Sequence, residues 1–173
     1  MTLDVALALG TIAMQIVTVA FLALYFLRKR FPDLEDIATA LSKWGMWIAL
    51  ILSFAGSALT LYYSEILGIP PCFLCWWQRI FLYPQVVLFA LALWKRDRAI
   101  ADYSIALSVL GAGFAIYNHA LQMLPSGTLP CPAQGVSCAQ IFFLEFGYIT
   151  YPMMSATLFG FLIVLMLFVH RGR

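Results

Sequence analysis

The chain has 173 residues, 64% of them hydrophobic and 10% charged, with a mean hydropathy of +0.93. Soluble globular domains run at about 45–50% apolar and about 25% charged, so the 10 basic and 8 acidic side chains here cannot cover a water-facing surface of this size. That excludes a soluble enzyme, a disordered tail and a nucleic-acid binder, and the net charge of +2 points to no partner by itself.

The charges divide the chain into apolar runs. Between Asp4 and Arg28 lie 23 uncharged residues, which predicts a first membrane helix over about 5–27. The residues before it carry Asp4 and no Lys or Arg, and Arg28-Lys29-Arg30 follows it. These features favour a retained anchor over a cleaved signal peptide. The segment Phe31-Pro32-Asp33-Leu34-Glu35-Asp36-Ile37 looks like a helix start, with Asp33 as its cap and Leu34, Ile37 and Leu41 on one face. It predicts an amphipathic helix on the inner membrane surface that leads into a second span at 44–63. A third span is expected at 73–94 and a fourth at 101–122. Pro125, Gly127, Pro130, Pro132 and Gly135 then break the longest uncharged stretch, and a fifth span follows at 152–169. Spans in lipid must satisfy their backbone groups internally, so all five are expected to be helices.

Lys and Arg set the orientation. The stretches 28–43, 95–100 and 170–173 hold nine of the ten basic residues. With five spans they fall on one side, expected to be the cytoplasm, which with Asp102 at the start of the fourth span has a net charge of +4. The N-terminus and the loops at 64–72 and 123–151 fall outside. There Arg79 stands against Asp4, Glu65 and Glu145, a net −2. Arg79 alone breaks the segregation.

All four cysteines, Cys72, Cys75, Cys131 and Cys138, lie on the outer side of this charge-derived topology. Disulfides persist there. Two structural staples are one reading, but Cys72 and Cys75 close too small a loop to constrain much of the unfolded chain. Four thiolates holding zinc is a second, although the second pair is spaced C-x6-C in a Pro/Gly-rich loop. Redox exchange is a third, and C-x-x-C suits it. Pro70-Pro71 places the first pair at the start of the third span, where free N–H groups and the helix dipole favour a thiolate. Cys72, Cys75 and Arg79 share a helix face, so the guanidinium is expected near the thiol, able to stabilise it or to bind an anionic oxygen. Alternatively, Arg79 snorkels to the outer headgroups. Trp76, Trp77 and Tyr83 suit either an interfacial aromatic belt or walls for a flat aromatic ligand. His119 lies at the depth of Arg79, as a carbonyl-bonded side chain or as a ligand donor or proton relay. The loop around Cys131 and Cys138 has no helical or strand pattern and is expected to be a mobile segment presenting a disulfide to a soluble protein.

Pro71-Cys72-Phe73-Leu74-Cys75-Trp76-Trp77-Gln78-Arg79, continuing to Tyr83-Pro84, resembles the signature of the DsbB/BdbC family of disulfide bond formation proteins. Pro130-Cys131-Pro132 with Cys138, then Phe146-Gly147-Tyr148-Ile149-Thr150 and Pro152, resemble its second outer loop and last helix. Tyr117-Asn118-His119 resembles its Tyr-x-His. The resemblance covers about residues 44–169.

It implies an all-α integral membrane protein with a four-helix-bundle core at 44–173. Residues 1–43 would add an extra transmembrane helix and a cytoplasmic linker. It further implies an oxidoreductase of the bacterial cytoplasmic membrane. This enzyme would reoxidise a soluble extracytoplasmic thioredoxin-like thiol oxidase and pass two electrons to a membrane quinone, ubiquinone or menaquinone. Carried over by position, Cys75 stands next to the quinone and Cys72 is its partner. Cys131 forms the mixed disulfide with the oxidase, and Cys138 completes that disulfide. Arg79 binds or polarises the quinone, with His119 and Trp76 beside it. The chain departs from the family in its extra helix and in its short second cysteine spacing. The competing readings are a vitamin K epoxide reductase-like enzyme, a scaffold with structural disulfides, and an electron-importing reductase that runs the relay backwards. In the first of these families the loop cysteines precede C-x-x-C; here they follow it.

Overall fold

The structure is a computed structural model, and it describes residues 3–28, 31, 33–125, 129–130 and 136–171. The chain folds as five helices: α1 (Leu3–Leu27), α2 (Asp33–Leu61), α3 (Phe73–Lys95), α4 (Ile100–Met123) and α5 (Tyr151–Arg171). A π-helical turn, Tyr62–Ile66, ends α2. Among the described residues all five are long and apolar enough to cross a membrane, and the one strand-like feature is a bridge between Glu145 and Ile149. The protein is therefore an all-α, multi-pass membrane protein, as its composition requires.

One element differs from expectation. No separate surface helix precedes the second span. Asp33 to Leu61 is a single helix of 29 residues, because no proline falls between its amphipathic start and its apolar body. The capping role expected of the Asp33 side chain lies outside the described residues.

Helices α2, α3, α4 and α5 close into a four-helix bundle, each packed on the next and α5 back on α2. Helix α1 lies outside this ring against α5, with a lighter contact to α2. α5 is apolar on every face and the most enclosed, with Phe159, Leu162, Leu165 and Met166 wholly buried. Small residues let the helices approach it. A Cβ on Gly111 of α4 would lie 2.7 Å from two ring carbons of Phe159, and one on Gly56 of α2 would lie 2.7 Å from Leu158 Cδ2. Between α3 and α4 the polar glue is Gln85. Its Oε1 accepts from Ser104 at 2.7 Å, and its Nε2 donates to the Phe81 carbonyl at 3.0 Å.

Side-chain contacts sort the helix ends. At one end His170 pairs with Asp102 at 2.6 Å, Arg98 donates to Ser42 at 3.3 Å, and Arg28 lies over the Phe168 ring. At the other end Tyr63 donates to Asp4 at 2.7 Å, and His119 bonds Thr150 at 2.9 Å. The basic residues so described gather at the first end, and Cys72, Cys75 and Cys138 at the second. Phe146 and Gly147, both with left-handed backbone, make the tight turn that delivers Ile149 and Thr150 to the start of α5.

Filling the Gly111 notch is expected to destabilise the α4–α5 packing by about 1–3 kcal/mol. Gly111→Ala should therefore lower the melting temperature of the detergent-purified protein, and an unchanged Tm would refute this account of the contact.

Candidate functional site

Cys72 has an extended backbone and caps α3, its sulfur accepting the Cys75 N–H at 3.4 Å. Pro70 and Pro71, which cannot extend the preceding helix, lead into this position. The C-x-x-C spacing then brings the two sulfurs 2.9 Å apart, in hydrogen-bonding contact. That bond first, and then burial, pushes the Cys72 thiol above its ordinary range, while a contact with Cys138 works the other way.

Cys138 is 1% exposed and packs with Cys72, Leu74 and Leu121. The fold thus joins the second cysteine loop to the first pair through Cys138 and Cys72. This revises the expected presentation of the loop: Cys138 is packed inward against the bundle, since its neighbours are the apolar start of α3 and end of α4. Cys131 lies outside the described residues.

Arg79 is 8% exposed, and its Nη2 donates to the Thr60 carbonyl at 2.9 Å, tying α3 to α2. It also stands over the Trp76 ring, 5.2 Å from the centroid. This bond commits one of the guanidinium's N–H donors to a backbone carbonyl, and the side chain lines the same cavity as Cys75. The nitrogen that reaches the sulfurs belongs to Asn118. Its wholly buried amide donates to Cys72 at 3.7 Å and to Cys75 at 3.6 Å. Sequence reasoning missed this residue. An amide at this position carries no spacing signal, and its contacts cross more than forty residues of chain. The one available clue was an uncharged polar residue, next to His119, inside an apolar span.

A cavity of about 440 Å³ opens beside the cysteines. Cys72, Cys75, Arg79, Tyr63 and Cys138 line its outer part, and Met14, Leu52, Leu82 and Leu158 its deeper part. Trp76, Trp77, Tyr83 and His119 are not in its wall. Trp76 is 52% exposed on the outside of the bundle, and Trp77 stacks on Phe114 at 5.2 Å between α3 and α4. The Tyr83 hydroxyl bonds Thr60 at 2.9 Å. His119 is turned to Thr150, whose hydroxyl also accepts the Met153 N–H at the start of α5. The aromatic rings that do face the cavity are Tyr63, Phe142 and Tyr151.

The family model for disulfide bond formation protein DsbB matches residues 42–169. A probable disulfide formation protein of Chlamydia trachomatis is 41% identical over 66% of this chain and 83% of its own length. A prophage-derived disulfide bond formation protein B of Bacillus subtilis is 39% identical over 65% of this chain and 76% of its own. A probable disulfide formation protein C of Halalkalibacterium halodurans is 36% identical, over 75% and 93%. No solved structure matches the chain.

A hydrogen bond to a charged group contributes about 1.5–3 kcal/mol. Asn118→Leu, of similar size but without the donor, is therefore expected to slow iodoacetamide alkylation of reduced Cys75 about tenfold at neutral pH. An unaltered rate would remove Asn118 from the sulfur pair.

Proposed function

Because the chain belongs to the DsbB family of disulfide bond formation proteins, whose members are disulfide-forming membrane oxidoreductases, we propose that it reoxidises a soluble thioredoxin-like thiol oxidase and passes the electrons to a membrane quinone. The observation that carries this reading is a C-x-x-C pair whose two sulfurs are in contact, pack with Cys138 and, together with it, line an apolar cavity. We assign the cysteine end and the N-terminus to the outside of a bacterial cytoplasmic membrane, since the opposite end gathers the Lys and Arg residues.

The cavity fits a quinone. Its deep wall is aliphatic, as an isoprenoid tail requires, and Arg79 supplies N–H donors near Cys75 for a ring oxygen. A bound quinone would supply the electron sink, accepting two electrons and two protons.

The thiol chemistry follows from exchange through mixed disulfides. A partner thiolate attacks Cys131 of a Cys131–Cys138 disulfide, a role assigned by family position, and Cys138 leaves as thiolate. The partner's second thiol displaces Cys131, so the partner gains a disulfide and the loop pair gains two electrons. Cys138 then attacks Cys72 of a Cys72–Cys75 disulfide, and Cys75 leaves as thiolate. Cys131 resolves the Cys72–Cys138 link and restores the loop disulfide. Cys72 leaves as thiolate and takes up the proton that Cys131 gives up, its bond to Cys75 and its burial favouring the thiol. Asn118 donates to the sulfur of Cys75, and Arg79 faces the cavity that this sulfur borders.

Purified protein mixed with a quinone and a reduced thioredoxin-like substrate should bleach the quinone absorbance, with loss of turnover in Cys75→Ser; no turnover in the wild type, or full turnover in that variant, would refute the reading. Arg79→Ala is expected to raise the KM for quinone about tenfold, and an unchanged KM would remove Arg79 from the site. Cys138→Ser should block electron transfer from the protein partner while turnover driven by dithiothreitol at Cys72–Cys75 persists. Equal loss of both would contradict its placement in the relay.

A further inference from the structure

Helix α1 lies outside the residues that the family match covers, yet it forms one wall of the cavity. Ala6, Leu7, Gly10, Thr11 and Met14 face into it. They form a strip at i, i+1, i+4, i+5 and i+8, which is one helix face. The strip offers no free polar donor, because the Thr11 hydroxyl is spent on the Leu7 carbonyl at 2.8 Å.

The wall is held in place from both ends. At its outer end Asp4 accepts from Tyr63, in the π-helical turn after α2, at 2.7 Å. Further down, Gln15 donates to Thr157 of α5 at 3.1 Å and accepts from the Tyr148 hydroxyl at 3.0 Å. Deeper still, Phe21 packs against Phe161 and Phe168 of α5, at 5.9 and 6.5 Å between centroids. Without α1, the groove between α2 and α5 would face lipid along its length.

Depth separates two parts of the cavity. Gly10 and Met14 lie roughly 9 Å and 15 Å below Asp4 along the helix axis. Asp4 is level with Tyr63, and so with the outer, polar part where Cys75 and Arg79 face the space. The lower strip of α1 instead meets Leu52, Leu82 and Leu158. At Gly10 the missing side chain leaves open space: a Cβ built there meets no atom within 4 Å.

We infer that α1 is the tail-binding wall of the quinone site, with the Leu7–Gly10–Met14 strip holding the apolar chain and Gly10 leaving the room it needs. This rests on the quinone reading proposed above. It gives the helix outside the family core a specificity role toward the length and bulk of the quinone tail, separate from the chemistry at Cys75.

The test compares two probes, decylubiquinone and the same quinone ring without a tail, on the full-length protein. Gly10→Phe should raise the KM for decylubiquinone about tenfold with kcat kept, and should leave the KM for the tailless ring unchanged. Val19→Phe, on the opposite and exposed face of α1, should alter neither. Independently of turnover, a quinone carrying a diazirine in its tail should photolabel the Leu3–Leu27 segment at Leu7 or Met14. Wild-type values for decylubiquinone in Gly10→Phe, an equal rise for both probes, or label confined to the other helices would each overturn the assignment of α1 while leaving quinone turnover intact. A wild-type protein that reduces neither probe would overturn the quinone reading itself.

Discussion

The bond from Arg79 to the Thr60 carbonyl fixes the geometry on which the rest of the site depends. A guanidinium inside a helical bundle needs acceptors within the protein, since lipid supplies none. Here the acceptor is a backbone carbonyl of α2 and the flat face beneath the cation is the Trp76 ring. The bond ties α3 to α2 one turn below the C-x-x-C pair, just before α2 ends in its π-helical turn. Thr60 and Arg79 both line the cavity that Cys75 borders. The bond also leaves the thiol pair to a neutral donor, the Asn118 amide, which can hold a sulfur through exchange without adding a second charge to a dry site.

The two sulfurs differ in their place on the helix. Cys72 caps α3 and Cys75 lies one turn inside it, and both border the cavity together with Cys138. The relay proposed above asks one of them to receive electrons from a thiol and the other to deliver them to a different acceptor. The cap sets the two apart with three residues of spacing, the first sulfur at the end of the helix and the second one turn inside the bundle.

The five helices, and the gathering of the described cysteines and of the basic residues other than Arg79 at opposite ends, were legible in the sequence. Lipid leaves a chain little choice between helix and nothing, and the charges mark where each helix must stop. The pairing of Cys72 with Cys75 was legible too, because it is local. What the sequence pattern could not carry was direction and distance. Arg79 shares a helix face with Cys75, but the spacing did not tell that its guanidinium bonds the Thr60 carbonyl of the neighbouring helix. Trp76 and His119 sit at the right depth, yet one points outward and the other toward Thr150. Asn118 reaches the sulfurs from another helix, and α1 meets the cavity from outside the bundle. Both are tertiary contacts between residues far apart in the chain, and no period of 3.6 encodes them. The continuous α2 has a simpler reason: an amphipathic start and an apolar body with no breaker between them make one helix.

The proposed relay ends with Cys72 and Cys75 alone delivering two electrons to a quinone in the cavity. The direct measurement uses a variant with Cys131 and Cys138 replaced by Ser, reduced, freed of reductant and mixed once with decylubiquinone, with quinol and free thiols counted. One quinol should form per chain, with both thiols lost to a Cys72–Cys75 disulfide. Retention of both thiols with no quinol formed would overturn this step.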